Sequence, residues 1–368
     1  METLAAVSTL AQDLVRIDSR SPISNLAIAD RLESELRDFE LERLEYKDAA
    51  GINKSVLVAA RGTGGLAFSG HMDTVPDTGW TDDPWSGAID GDILRGLGST
   101  DMKGPLAAMI AAAAALPPSV PIALLISSDE ETTKQGARMI ARSSDLAKRY
   151  APRGIVVGEP TGMIPVRGHR SHIEFTAVAT GVQAHSSTGQ GLNANWKLLP
   201  FLLAMQRLYE RLRTDPTLQD PAYDPPFSDF NPVIDNHGTA VNVTVPKATV
   251  RIKYRYSHSI DPAEVIEAIE HAAEEHGIEV TQSREGLPPE LPADHPLVAA
   301  ASALVGNAVP RTAPFGTDAS ELQALAPCVI WGPGDVSEAH KPTEKVSLQA
   351  LADAVPLFAR LAEQVASG

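Results

Sequence analysis

Four short apolar runs in this chain each end abruptly in acids or a histidine, and that pattern restricts the folds open to it. Leu66–Ser69 leads into Gly70-His71-Met72-Asp73, and Ile122–Ser128 into Asp129-Glu130-Glu131. Gly154–Val157 leads into Gly158-Glu159-Pro160, and Val329–Trp331 into Gly332-Pro333-Gly334, with His340 a few residues on. Apolar runs this short, bounded by turn residues, read as strands covered on both faces, as in a parallel sheet. Helical patterns alternate with them over Leu4–Arg16, Leu26–Asp38, Gly104–Leu116 and Thr133–Ser143, which is the rhythm of an α/β fold. The C-terminal strand ends of a parallel sheet share one edge, and ligands bind there. The sequence therefore predicts one rim carrying His71, Glu130, Glu131, Glu159 and His340. Asp101 joins them from the loop before a helix that starts near Gly104-Pro105.

The texture changes near His169. Ile173–Ala179 alternates, Asn195–Arg213 reads as a long helix, and Val241–Tyr256 gives two strand-like runs. Pro262–Glu275 places Val265, Ile266 and Ile269 on one helical face,. These features predict an α+β unit over 169–285 inserted into a discontinuous domain made of 1–168 and 286–368. A chain of 368 residues is long enough for two such domains,.

Thirty-one basic residues against 47 acidic ones give a net charge of −16. That balance argues against nucleic-acid or anionic-membrane partners, which need a basic face. The longest apolar run, Leu106–Leu116, is shorter than the ~20 residues of a membrane span. Met1–Arg16 carries Glu2 and Asp13 and lacks a basic leader region,. The single cysteine, Cys328, sits in an apolar strand and forms no internal disulfide. The expected location is the cytoplasm.

An acidic residue after a strand is ordinarily a solvated turn or a helix cap. Two imidazoles and several carboxylates converging on one rim instead suit a divalent cation, zinc first, with cobalt or manganese as alternatives. Without cysteine ligands, a catalytic site with an open position is the expectation. Competing signals fail on chemistry. Gly96-Leu97-Gly98-Ser99-Thr100-Asp101 ends in an aspartate that would repel a pyrophosphate. His271 and His276 are five residues apart and fall on different helix faces. No G-x-S-x-G elbow or Walker loop occurs,.

Five stretches together resemble the M20 family of di-zinc amidohydrolases and peptidases. They are Ser69-Gly70-His71-Met72-Asp73-Thr74-Val75-Pro76, Gly98-Ser99-Thr100-Asp101-Met102-Lys103-Gly104, Ser128-Asp129-Glu130-Glu131, Gly158-Glu159-Pro160-Thr161, and Gly332-Pro333-Gly334 through His340-Lys341-Pro342. The resemblance implies a mostly parallel α/β catalytic domain with an inserted α+β lid that dimerises. It implies two metal ions, one held by His71 and Glu159, the other by Glu131 and His340, with Asp101 between them. Asp73 would fix the tautomer of His71, and Glu130 would be the general base. Gly181-Val182-Gln183-Ala184-His185-Ser186-Ser187 is similar to a motif whose histidine stabilises the oxyanion, reaching a partner subunit's site. Arg255 and Asn242 correspond to substrate contacts, and Gly316-Thr317-Asp318 to a loop at the pocket. The implied reaction is hydrolysis of small N-acyl-L-amino acids, as by an acetylornithine deacetylase. The alternative is a dipeptidase or carboxypeptidase using the same machinery. The stretch from His185 to Ala194 is one residue shorter than the commoner pattern and lacks its proline.

Overall fold

The computed structural model describes residues 2–367. They form two compact units: residues 2–168, 289–311 and 317–367 in the first, 169–288 and 312–316 in the second.

The first unit begins with helices α1 (Glu2–Val15) and α2 (Leu26–Glu35), followed by strands β1 (Glu40–Lys47), β2 (Asn53–Arg61) and β3 (Leu66–His71). After the small strands β4 (Ala88–Asp90) and β5 (Ile93–Arg95) come α3 (Gly104–Ala115), β6 (Ile122–Ser127), α4 (Gln135–Ser143), α5 (Asp145–Tyr150), β7 (Gly154–Val157) and β8 (Val166–His169). The second unit contributes β9 (Ser171–Thr180), α6 (Asn195–Thr214), β10 (Asp229–Asp235), β11 (Lys247–Tyr256), α7 (Ala263–Glu275) and β12 (Glu279–Arg284). The chain ends with α8 (Pro296–Leu304), β13 (Arg311–Ala313), α9 (Ala319–Leu322), β14 (Cys328–Ile330), β15 (Lys345–Ser347) and α10 (Leu348–Ser367).

The large sheet runs β1-β2-β6-β3-β7-β14-β8-β13. Its centre, β6-β3-β7-β14, is parallel, with His71 opposite Ser127, Ser69 opposite Val157, and Ile330 opposite Val157. The outer pairs β1·β2, β2·β6 and β14·β8 are antiparallel. Strands β3, β6 and β7 are buried along their whole length, which is why their sequences show no alternation. Helices α1, α3 and α10 pack together on the unit's core, which contains Leu14, Phe68, Trp331 and Phe358. At the start of α3 a Cβ on Gly104 would lie 2.3 Å from the Ser99 carbonyl oxygen. Only glycine lets the helix begin so close to the turn that carries Asp101.

The second unit has an antiparallel sheet, β10-β11-β9-β12, with α6 and α7 packed against it. Strand β9 alternates buried and half-buried residues, as expected when one face is covered. Its core holds Phe175, Phe201, Tyr254 and Ile269. The segment read as two strands over Val241–Tyr256 contains one, because the chain runs irregularly before β11 starts at Lys247. Cys328 is buried, and its Sγ donates to the Ala326 carbonyl.

Candidate metal centre

The parallel centre of the sheet determines where the polar side chains emerge. His71 is the last residue of β3 and is 1% exposed. Glu159 lies two residues past β7 and is also buried. Asp129-Glu130-Glu131 follows β6, and Asp101 sits in the irregular turn Ser99–Lys103 before α3. His340 comes from the loop after β14 and is half exposed.

These groups interlock around Asp101. Its Oδ1 is 3.1 Å from His71 Nε2, and its Oδ2 is 3.3 Å from His340 Nε2. Each imidazole has a further carboxylate beside it. Glu159 Oε1 is 3.9 Å from His71 Nε2, and Glu131 Oε1 is 3.1 Å from His340 Nε2. Ligand atoms of His71, Asp101 and Glu131 all lie within 4.8 Å of one another.

The electrostatics reflect how closely these groups are crowded. Burial, then the charge of Asp101, pushes the Glu159 and Glu131 carboxyls well above the usual range. Burial also raises Glu130. Asp101 is pushed up by burial, but hydrogen bonds from His340 and His71 outweigh this and hold it below its ordinary value. His340 is raised to about 11 by its hydrogen bonds to Asp101 and Glu131. His71 is depressed by burial, yet Asp101 and Glu159 carry it well above its ordinary value. Crowded carboxyls whose charged form burial and mutual repulsion disfavour, set beside two imidazoles, form a donor set suited to divalent cations.

A second tier holds these groups in place. Glu344 is 1% exposed, and its Oε1 accepts the backbone N–H groups of Thr100 and Asp101 at 2.9 and 3.0 Å. The Asp73 carboxylate accepts the N–H groups of Glu130 and Glu131 at 3.2 and 3.4 Å, and the Ser21 hydroxyl at 2.8 Å. His71 Nδ1 is 3.0 Å from the Asp73 backbone carbonyl and 3.6 Å from its carboxylate. His71 Nδ1 thus faces both the main chain and the carboxylate of Asp73, and the same carboxylate supports the Glu130–Glu131 turn. Asp318 is buried, pairs with the Ser127 hydroxyl, and is pushed to about 8 by burial and by Glu130. Glu130 Oε1 is buried without a hydrogen-bond partner, and the Lys134 ammonium lies 3.6 Å away.

The expected substrate contacts have the following surroundings. Thr317 is buried and its hydroxyl accepts the Ala319 N–H at the start of α9. Arg255 is the penultimate residue of β11 in the second unit and pairs with Asp229, its cross-strand neighbour, at 2.6 Å. Asn242 is exposed in that unit, and its carbonyl accepts the Ser186 N–H. His185 is exposed there too, its Nδ1 accepting the Ser187 N–H at 3.3 Å. Its Nδ1 also lies 2.7 Å from the Ser187 hydroxyl.

Sequence reasoning missed Glu344, and it placed Asp318 in a pocket loop without foreseeing its contact with Ser127. Glu344 and Asp318 reach partners 243 and 191 residues away, and no local spacing marks them.

The sequence matches peptidase family M20/M25/M40 over residues 67–364. The chain belongs to this family. It is 30% identical to an acetylornithine deacetylase of Proteus mirabilis, over 94% of this chain and 92% of that one. Its fold is similar to a Staphylococcus aureus tripeptidase, with a TM-score of 0.74 and 20% identity over 99% of both chains. It is also similar to a Bacillus subtilis dinuclear metal-binding peptidase of the M20 family, with a TM-score of 0.67 and 16% identity over 100% and 99% of the chains. As an M20 member the chain is a metal-dependent hydrolase of amide bonds. No helix among the described residues is long and apolar enough to cross a membrane.

Proposed function

We propose that this chain is a di-metal deacylase of small N-acyl-L-amino acids, with zinc as the metal. The observation that carries the reading is the double engagement of Asp101, one carboxylate oxygen facing His71 and the other His340. That arrangement supports two cations: His71 and Glu159 would hold one, Glu131 and His340 the other, with Asp101 available to both. When bound, such a pair lowers the pKa of a shared water toward ~7 and polarises an amide carbonyl.

The protein's own groups do the rest. Glu130 takes the water's proton and passes it to the departing amine, and its burial-raised carboxyl suits a base that must hold a proton between two transfers,. His185 donates to the developing oxyanion. Arg255 receives the substrate's α-carboxylate, and Asn242 adds a polar contact. The deacetylase likeness over nearly the whole chain supports acyl amino acids as substrates. The second unit serves as lid and as a homodimer contact, and a lone buried Cys328 accords with a cytoplasmic setting.

Amine release from a panel of N-acetyl and N-succinyl amino acids and dipeptides tests the reading, using zinc- or cobalt-loaded protein with a chelated control. Chelator-sensitive release from one acyl class is the expected result. Release from dipeptides alone would select the peptidase alternative. Glu130→Ala should abolish turnover and keep the metal, and loss of metal instead would exchange the roles of Glu130 and Glu131.

A further inference from the structure

Strand β2 buries a lysine: Lys54 is 0% exposed and is followed by six apolar or small residues, Ser55 to Ala60. An ammonium taken out of water is tolerated only where its donors and its charge are answered. Lys54 Nζ has three N–H groups, and three acceptors meet it: the carbonyls of Ser21 and Ile23, the latter at 2.7 Å, and Asp129 Oδ1 at 3.1 Å,. Directly opposite Lys54 in the β1·β2 register stands Tyr46, whose hydroxyl donates to Asp129 Oδ2 at 2.7 Å and lies 2.9 Å from Ser128 Oγ. Two neighbouring side chains of one hairpin thus grip both oxygens of a single carboxylate.

That carboxylate belongs to a residue with strained backbone. Asp129 has φ +59°, a left-handed conformation that non-glycine residues adopt at a cost,. Its carbonyl accepts the N–H groups of Thr133 and Lys134, closing the turn from which Glu130 and Glu131 project. The other support of the turn is the Asp73 carboxylate, which Ser21 Oγ holds. The Ser21 carbonyl is itself an acceptor for Lys54. The contacts close a ring: Lys54 to Asp129, through the turn to Asp73, through Ser21 back to Lys54.

We propose that Lys54 and Tyr46 are positioning residues for the Glu130–Glu131 pair, acting through Asp129 to fix the turn that separates base from metal ligand. The proposal rests on the roles given to Glu130 and Glu131 above. Lys54 is fully buried, so the brace touches no substrate; it sets where the two carboxylates stand.

The test compares Tyr46→Phe, Asp129→Asn and Lys54→Met with Tyr150→Phe. Tyr150 donates a buried hydroxyl to the Leu66 carbonyl in the same sheet, away from the turn, and so controls for the loss of a buried hydrogen bond. Readouts are kcat, KM, metal retained after dialysis, and Tm. Tyr46→Phe and Asp129→Asn should lower kcat or metal affinity by about 10- to 100-fold with KM within about twofold, as expected for outer supports of a metal site. Tyr150→Phe should shift Tm and leave kcat and metal in place. Lys54→Met is the harshest change, and if it fails to fold the two milder variants still decide. Wild-type kcat and metal retention in both Tyr46→Phe and Asp129→Asn would overturn the brace. An active Glu130→Gln would instead overturn the underlying assignment of the base.

Discussion

Glu344 accepts the N–H groups of both Thr100 and Asp101 while almost completely buried, so deleting its carboxylate strands two buried donors. Its charge also faces the buried Lys103 ammonium, whose Nζ donates to the Ile17 carbonyl. Glu344→Ala should therefore cost about 2–4 kcal/mol of stability, read by chemical denaturation. Glu344→Gln keeps an acceptor for the same N–H groups and should cost less. Equal stability in wild type and Glu344→Ala would mean that water replaces the carboxylate. The metal-free site also has a definite pH behaviour. His340 is raised to about 11 by Asp101 and Glu131. Its protonation thus stabilises the metal-free fold fully below the ordinary histidine value, and that contribution disappears as pH rises through about 11. A cation bound by Nε2 must expel this proton at neutral pH. Apparent affinity should then climb with pH, by about tenfold per unit for each proton released. Calorimetry in buffers of different ionisation enthalpy measures the release, and buffer-independent heats would sink the expectation.

Secondary-structure elements show why some features were readable and others were not. Strands β3, β6, β7 and β14 bury every residue, so their apolar runs stood out, and the metal-type residues could be read from where those runs stop. Strand β1 reads Glu-Leu-Glu-Arg-Leu-Glu-Tyr-Lys and is only half covered. β10 carries Pro232, and β12 is almost wholly exposed. Such edge elements owe their strand conformation to pairing with a neighbour, which their own residues do not announce. The Lys54–Tyr46 brace was hidden for the same reason, since its two halves meet only through the β1·β2 register. The junction between β14 and β7 yields a sharper expectation. A Cβ on Gly332 would lie 2.3 Å from the Gly158 carbonyl oxygen and 2.7 Å from that of Glu159. Because these neighbours are backbone, Gly332→Ala should displace the Glu159 turn, costing roughly 1–3 kcal/mol and weakening metal retention. Unchanged metal content would show that the turn yields without carrying Glu159 along.

For the whole molecule, the open matter is assembly. Helix α6 exposes Trp196, Leu199 and Leu203 at 72%, 50% and 49%. Their spacing makes one apolar stripe, of a kind soluble chains usually cover with a partner. A second copy of the same unit is the proposed cover, so sedimentation should give about twice 39.0 kDa, and Leu199→Glu with Leu203→Glu should give the monomer. A monomeric wild type would remove the homodimer. The role of His185 can then be tested by mixing chains. Glu130→Ala and His185→Ala are each expected to be nearly inactive as homodimers. If His185 serves the partner's site, a mixed dimer contains one site with an intact Glu130 and an intact His185 supplied by the other chain. Random exchange makes half the dimers mixed and restores one site in each, so total activity should recover to roughly one quarter of wild type. If His185 serves its own chain, every site in the mixture lacks one of the two groups, and nothing recovers. Because the two arrangements contain the same residues and the same metal, recovery on mixing depends only on which chain completes the site.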